Sequence, residues 1–128
     1  MRVLLDTHSF IWFIAGDPKL SDPARQAIQN EENDVLLSAA SIWEMAIKTS
    51  LGKLALAQPF DQLIPAQLEL NAIEVLPVEA AHAIRVATLP YHHRDPFDRL
   101  LAAQSLEEDL PIVSVDIVLD SYGVKRIW

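Results

Sequence analysis

Apolar runs of two to four residues, each flanked by polar residues, recur along the chain and are typical of short buried strands. They lie within residues 3–5, 35–37, 73–76, 112–115 and 124–127. The longer segments between them have helical spacing and helix-capping residues. This alternation predicts an α/β fold with a central parallel sheet of about five strands and helices on both faces.

Capping residues mark where the predicted helices begin and end. The first starts at Thr7 and stops at Gly16, and another is capped by Ser38 or Ser41 and runs to about Leu51. Pro65 is expected to kink or split the helix over residues 59–70, because proline lacks the N–H of a regular turn. Further helices are predicted from residue 21 onward and over residues 79–88, 96–106 and 116–122.

The segment from residue 93 to residue 104 has the clearest helix start in the chain. Asp95 is suited to the N-cap, and Pro96 to the first helical position, where a missing N–H costs nothing. Asp98 then lies in the first turn, where the helix dipole favours a carboxylate whether or not it takes part in chemistry. Asp98 therefore indicates a functional site only if other acidic side chains lie close to it.

Composition limits the classes of protein to be considered. The chain has 128 residues, which fits a single domain over residues 1–128, and 51% of them are hydrophobic, so a folded core is expected. The absence of cysteine excludes disulfides and thiolate metal sites, and suits the cytoplasm. No apolar run approaches the ~20 residues that span a bilayer, so no membrane association is expected.

The formal net charge of −8 argues against nucleic-acid binding through a broad basic surface. Acids gathered in one cleft would instead hold divalent cations, which then present positive charge to a phosphate. Four acids follow or lie near predicted strand ends: Asp6, Glu44, Asp98 and Asp116. Since parallel strands place their carboxyl ends at one edge of the sheet, we expect these acids to meet there. Their oxygen ligands favour Mg²⁺ or Mn²⁺.

Four segments of the chain resemble PIN-domain ribonucleases, and in particular VapC-type toxins of type II toxin–antitoxin systems. They are residues 3–7 (VLLDT), 41–54 (SIWE with a later GKL), 93–104 (HRDPFDRLLAAQ) and 113–116 (VSVD). The third is the most specific of the four. The resemblance implies a PIN-like fold over the whole chain and a Mg²⁺-dependent endoribonuclease that hydrolyses RNA phosphodiester bonds.

The resemblance also assigns roles to individual residues. It implies that Asp6, Asp98 and Asp116 hold the metal and that Glu44 ligates it or orients the attacking water. Ser114 matches a position that supports the last acid. From the residues alone, Thr7 either hydrogen-bonds a ligand carboxylate or extends a helix cap.

Basic side chains and histidines near the predicted site have two interpretations. Arg94 and Arg99 either contact RNA phosphates or form surface ion pairs with neighbouring acids. His92 and His93 are expected in a solvent-exposed loop rather than in a metal site, and His82 on a helix surface.

The predicted first and third helices are apolar on nearly all sides, around Trp12 and Trp43. This exceeds what a small domain buries, so we expect a homodimer and a docked helix from a small partner protein. The resemblance identifies that partner as a VapB-type antitoxin, whose basic residues would enter the acidic cleft.

Two other functions remain possible from the sequence. One is a housekeeping PIN-domain RNA-processing nuclease without an antitoxin. The other is a phosphoacceptor receiver-type signalling domain, which is also a parallel α/β fold with an acidic Mg²⁺-binding edge. That class needs an acidic pair after the first strand, whereas here Asp6 is followed by Thr7 and His8.

Overall fold

The computed structural model describes residues 1–128 and contains one five-stranded sheet connected by helices. The strands are β1 (Arg2–Leu5), β2 (Asp34–Ser38), β3 (Ile73–Leu76), β4 (Ile112–Val113) and β5 (Arg126–Ile127). The α-helices are α1 (Thr7–Ala15), α2 (Asp22–Gln29), α3 (Ala39–Ser50), α4 (Phe60–Leu70), α5 (Ala80–Val86) and α6 (Pro96–Glu108). A 3-10 helix at Ile117–Tyr122 connects β4 to β5.

The sheet has the strand order β3-β2-β1-β4-β5, and every neighbouring pair is parallel. The predicted fold class is therefore confirmed. This order differs from the 2-1-3-4-5 order of receiver-type domains, so that alternative is wrong. The chain builds outward from β1 to β3 and then returns to place β4 on the other side of β1. Ligand crevices in such sheets open where the direction reverses, at the carboxyl ends of these two strands.

Two apolar cores lie on the two faces of the sheet. Alternate residues of β1 contribute to different cores, because side chains of a strand point to opposite faces. Val3 and Leu5 pack in a cluster with Phe10 of α1 and Met45 of α3. Leu4 packs in a second cluster with residues of α6 and the 3-10 helix. The layered architecture buries Val3, Leu4 and Leu5 completely, so the carboxyl end of β1 is enclosed by both cores.

The helices differ from the sequence prediction mainly in where they end. Residues 60–70 form one helix that runs through Pro65 without a break, so the chain is not split there. The lost hydrogen bond is one to the carbonyl of Asp61 in the first turn, an exposed residue whose carbonyl water can reach. Helix α6 continues to Glu108 and closes at Asp109, which adopts a left-handed conformation. No helix has the length and apolarity needed to cross a membrane.

Strands β4 and β5 are shorter than predicted, with two residues each. The Ser114 hydroxyl accepts a hydrogen bond from the N–H of Asp116, and this local bond replaces a continued ladder. The chain therefore turns away from the sheet directly after β4 and brings Asp116 to the sheet edge.

Candidate active site

Asp6 is fixed at the junction of β1 and β4. Its backbone N–H donates to the Val113 carbonyl at 3.1 Å, and its Oδ1 accepts from the Ser9 N–H at 2.8 Å. The second bond makes Asp6 the N-cap of α1. Ser9 in turn donates its hydroxyl to the Val113 carbonyl at 2.9 Å. One carboxylate oxygen is used for the cap, and the other is left for a ligand.

Asp116 is held at the end of β4 by a similar cap. Its Oδ1 accepts from the Val118 N–H at 3.0 Å and so starts the 3-10 helix. The buried Ser114 hydroxyl accepts from the Asp116 N–H at 3.0 Å. Ser114 thus supports the turn that carries Asp116, in agreement with its predicted position. The Oδ2 atom of Asp116 faces the sheet-edge crevice.

Asp98 reaches the same crevice from the first turn of α6. The Asp95 carboxylate caps this helix by accepting from the N–H groups of Phe97 at 2.8 Å and Asp98 at 3.3 Å. Pro96 occupies the first helical position, as predicted. The ligand atoms of His93, Asp98 and Asp116 all lie within 4.8 Å of one another.

The crevice is a cleft of about 440 Å³ that contains three of the four predicted acids. Its lining residues are Asp6, His8, Trp12, His93, Asp98, Val115 and Asp116. No lysine or arginine is among them, and the basic side chains of the lining are the histidines His8 and His93. Because carboxylate charges repel one another at short range, a bound cation would lower their free energy.

Burial and the neighbouring acids change the pKa of Asp98. Burial raises the pKa of this carboxyl from 3.8 to about 7, with a smaller contribution from the charge of Asp95. The charges of Asp6 and Glu44 raise the pKa further, whereas His93 opposes the shift. A carboxyl with this pKa releases its proton readily when a cation takes the proton's place.

Glu44 lies beside the cleft rather than in its lining. Its Oε1 accepts from the Thr7 hydroxyl at 2.7 Å, and its Oε2 pairs with Lys48 Nζ at 2.7 Å. This hydrogen bond raises the pKa of Lys48 and keeps it charged. Ser38 is the N-cap of α3. The Thr7 hydroxyl orients the Glu44 carboxylate through its hydrogen bond.

Arg99 is not the exposed residue that either sequence interpretation, an RNA contact or a surface ion pair, assumes. The side chain is buried, and its guanidinium donates to the carbonyls of Pro90, Val86 and Leu89. It also donates to the Tyr122 hydroxyl at 3.3 Å. Five N–H donors on one side chain can hold several orphan carbonyls, which explains why arginine occupies this buried position. Arg94, by contrast, is exposed.

Two histidines also differ from expectation. His93 lies in the cleft, with Nε2 2.7 Å from Asp116 Oδ2 and 3.2 Å from Asp98 Oδ2. His82 is buried rather than on a helix surface, and it completes a capping box with Glu79. The partner of His93 is Asp116 and that of His82 is Glu108. Both partners are more than twenty residues away, so spacing along the sequence could not predict these contacts.

The donor set of the cleft fits a divalent cation. Asp6, Asp98 and Asp116 offer carboxylate oxygens, the ligand type that Mg²⁺ and Mn²⁺ prefer. No lysine or arginine lies among these carboxylates. The structure thus supports a divalent-metal site.

The chain is thus a parallel α/β protein with an acidic cleft at the sheet edge that suits a divalent cation. Comparison with known proteins identifies its family. A family model of the PIN domain matches residues 3–125, so the chain belongs to the PIN domain family. Ribonuclease VapC22 of Mycobacterium tuberculosis (strain ATCC 25618 / H37Rv) is 30% identical over 131 residues, covering 98% of each chain.

Solved structures support the same fold. The crystal structure of VapBC2 from Rickettsia felis, bound to a promoter DNA fragment, contains a chain that matches with a TM-score of 0.72 and 14% identity, covering 100% of both chains. The DNA-bound VapBC structure from Salmonella typhimurium matches with a TM-score of 0.71 and 18% identity, covering 98% of this chain and 96% of that one.

Proposed function

We propose that this protein is a Mg²⁺- or Mn²⁺-dependent endoribonuclease and the toxin of a type II toxin–antitoxin pair. The observation that carries the proposal is the convergence of Asp6, Asp98 and Asp116 in one cleft that has no lysine or arginine in its lining. Membership of the PIN domain family and the name of the relative, a ribonuclease, support the same activity.

In this mechanism the three carboxylates of the cleft would hold the cation. A divalent ion held there would act as a Lewis acid on the attacking water and would neutralise charge on the phosphate. Asp6 and Asp116 each use one oxygen as a helix cap, which fixes the orientation of the other. Asp98 is held in place by the cap that Asp95 provides. The ligands are therefore preorganised by the backbone rather than by the ion.

Glu44 and Arg94 have supporting roles in this proposal. Glu44, hydrogen-bonded by Thr7, would ligate the ion or orient the attacking water, and its ion pair with Lys48 shields its charge from the other acids. Arg94 is exposed on the loop that precedes α6, and its guanidinium would contact an RNA phosphate.

The proposed partners are a second copy of the chain and a small VapB-type antitoxin. Large apolar side chains remain exposed, among them Trp43 at 63% and Ile117 at 69%. Several matched structures are toxin–antitoxin complexes, including one from Klebsiella pneumoniae with a TM-score of 0.60. The acidic cleft suits a basic antitoxin side chain, which would compete with the metal. The whole chain acts as one domain in the cytoplasm.

The activity test is cleavage of RNA by purified protein in Mg²⁺ or Mn²⁺, with EDTA as the metal-free control. Asp6→Asn and Asp98→Asn are each expected to lower cleavage by at least 100-fold, because one anionic ligand is lost at nearly constant shape. Asp61→Asn is the matched control, since Asp61 also lies in the first turn of a helix but outside the cleft. Full activity of both cleft variants would contradict the mechanism.

The toxin role is tested by coexpression with the small protein encoded beside the gene. Growth arrest by the chain alone, relieved by this neighbour, is the expected result, and mapped RNA ends then identify the substrate. Active enzyme that neither arrests growth nor binds the neighbour would support the housekeeping alternative instead.

A further inference from the structure

The ring of His93 is oriented by hydrogen bonds at both of its nitrogen atoms. Nδ1 accepts from the backbone N–H of Asp95 at 3.1 Å, and Nε2 lies 2.7 Å from Asp116 Oδ2. The backbone N–H of His93 donates to the Tyr122 hydroxyl at 2.8 Å. The same hydroxyl accepts from Arg99 at 3.3 Å, so the buried arginine also helps to hold this loop.

These contacts determine which nitrogen of His93 carries the proton. A backbone N–H is only a donor, so the Nδ1 atom that faces Asp95 must present its lone pair. The ring proton is therefore on Nε2, where it points at the Asp116 carboxylate, with Asp98 Oδ2 at 3.2 Å. A proton on Nδ1 would point at the Asp95 N–H, so that two hydrogen atoms would clash.

This orientation is the reverse of what a metal-binding histidine needs. A ligating imidazole directs a lone pair at the ion and donates its other N–H to an acceptor. In His93 the nitrogen nearest the carboxylates carries the hydrogen, and the opposite nitrogen faces a donor. Proximity alone groups His93 with Asp98 and Asp116 as three possible ligands, but the hydrogen bonding separates the histidine from the two acids.

We propose that His93 is a positioning residue whose Nε2–H draws the carboxylates of Asp98 and Asp116 together, and that it does not bind the metal itself. The inference rests on the proposed function, because it concerns the same site. Two carboxylates at close range repel each other, and a donor shared between them offsets that repulsion. Each oxygen has a second lone pair, so an atom that accepts from His93 still has one for a cation.

His82 provides an internal reference for this arrangement. Its Nδ1 accepts from the Glu79 N–H at 3.0 Å, and its Nε2 lies 2.8 Å from Glu108 Oε1. The hydrogen-bond pattern is the same as that of His93, but His82 is not part of the cleft. Both rings are expected to have the same tautomer, and only His93 is expected to respond to a metal.

The first experiment is long-range ¹H–¹⁵N NMR of the histidine rings in the full chain, with and without saturating Mg²⁺. The expected spectrum shows an unprotonated Nδ1 and a protonated Nε2 for both His82 and His93. Addition of Mg²⁺ is expected to shift the His93 signals while Nε2 keeps its proton. Loss of the Nε2 proton on metal addition, or protonation of Nδ1 in the free protein, would overturn the proposal.

The second experiment measures Mn²⁺ affinity by calorimetry for two variants at position 93 whose amide side chains differ in length. The amide nitrogen of His93→Gln lies near the position of Nε2, so affinity within about threefold of the wild type is expected. His93→Asn is one methylene shorter and cannot reach Asp116, and a loss of about 10- to 100-fold is expected. His92→Gln, at the exposed neighbouring residue, is the matched control.

The outcomes separate this inference from the proposed function. Wild-type protein that binds no Mn²⁺ would contradict the metal mechanism, whatever the tautomer of His93. Wild-type protein that binds Mn²⁺, with His93→Asn binding equally well, would overturn only the role of His93. Equal large losses in the Gln and Asn variants would also overturn it, because the result would point to direct ligation.

Discussion

At the scale of single residues, Asp98 lowers the stability of the fold at neutral pH because its carboxyl lies in the cleft. Its carboxyl is buried among other acids, and this raises the pKa to about 7. The folded state therefore holds a proton that the unfolded state releases near pH 3.8, and stability from this group is lost as the pH rises towards 7 and beyond. A residue that opposes folding at neutral pH is typical of a site built to bind something.

Because the pKa of Asp98 is raised, the stability difference between Asp98→Asn and the wild type is expected to depend on pH. In EDTA at pH 8 the variant is expected to be more stable than the wild type, on the order of 2 kcal/mol after solvent screening is allowed for. At pH 4 the difference is expected to vanish, because Asp98 is then protonated. Thermal unfolding at both pH values measures this, with Asp61→Asn as a variant that should show no such change. Equal stability at pH 8 would contradict the raised pKa.

Arg94 and Arg99 are predicted to have different roles although both flank Asp98 in the sequence. Arg99→Met removes a donor from the carbonyls of Pro90, Val86 and Leu89, of which the Leu89 contact is buried, so a loss of about 2 kcal/mol in unfolding free energy is expected. Arg94→Met is expected to change stability by less than about 0.5 kcal/mol and to weaken RNA binding. Urea unfolding and RNA-binding titrations check the pair. A stable Arg99 variant with weakened RNA binding would reverse the assignment.

At the scale of elements, the site consists of chain segments that start helices. Asp6, Asp95 and Asp116 each cap a helix, and two of them also lie in the cleft. A cap and a ligand use the same short, acidic side chain next to a strand end, so one residue serves local structure and the site together. The cap at Asp95 holds the first turn of α6, from which Asp98 lines the cleft.

The cap of α6 is predicted to matter for activity as well as for stability. Asp95→Ala is expected to cost about 1 kcal/mol and also to lower cleavage, because the first turn that carries Asp98 is loosened. Ser21→Ala removes the cap of α2, outside the cleft, and is expected to cost a similar amount without an effect on cleavage. Both are assayed where they are fully folded. Equal cleavage by the two variants would show that the cap does not position Asp98.

At the scale of the whole molecule, the sheet topology creates the site and leaves apolar surface uncovered. The reversal of strand order between β1 and β4 opens the crevice where Asp6 and Asp116 lie. On α3, Met45 is completely buried, whereas Trp43 is exposed and makes an edge-to-face contact with Phe97, with ring centroids 5.5 Å apart. Exposed aromatic surface of this kind is typical of an interface.

The predicted homodimer is tested at this exposed surface. Sedimentation equilibrium is expected to show a dimer for the wild type and a shift towards monomer for Trp43→Arg, because a charge at a buried contact carries a desolvation cost. Ile84→Arg is the control, since Ile84 is also exposed, at 71%, but lies on α5. A wild-type chain that remains monomeric at high concentration would contradict the dimer.

The sequence alone determined the order of the elements, the parallel sheet and the segments in which acids follow strands. These features depend on local patterns, since strand runs, caps and helix spacing involve residues that are close along the chain. The cap at Asp95, the first helical residue Pro96 and the strand Ile73–Leu76 were all predicted in this way.

Only the tertiary structure decided how distant side chains combine. It brought Asp6, Asp98 and Asp116 into one cleft, placed Glu44 beside that cleft, and buried Arg99, which had been expected at the surface. It also gave His93 its partner twenty-three residues away. Such contacts depend on strand order and crossover geometry, which local spacing does not encode. The physical reason is that burial and hydrogen bonding, not sequence neighbourhood, determine what a charged side chain does.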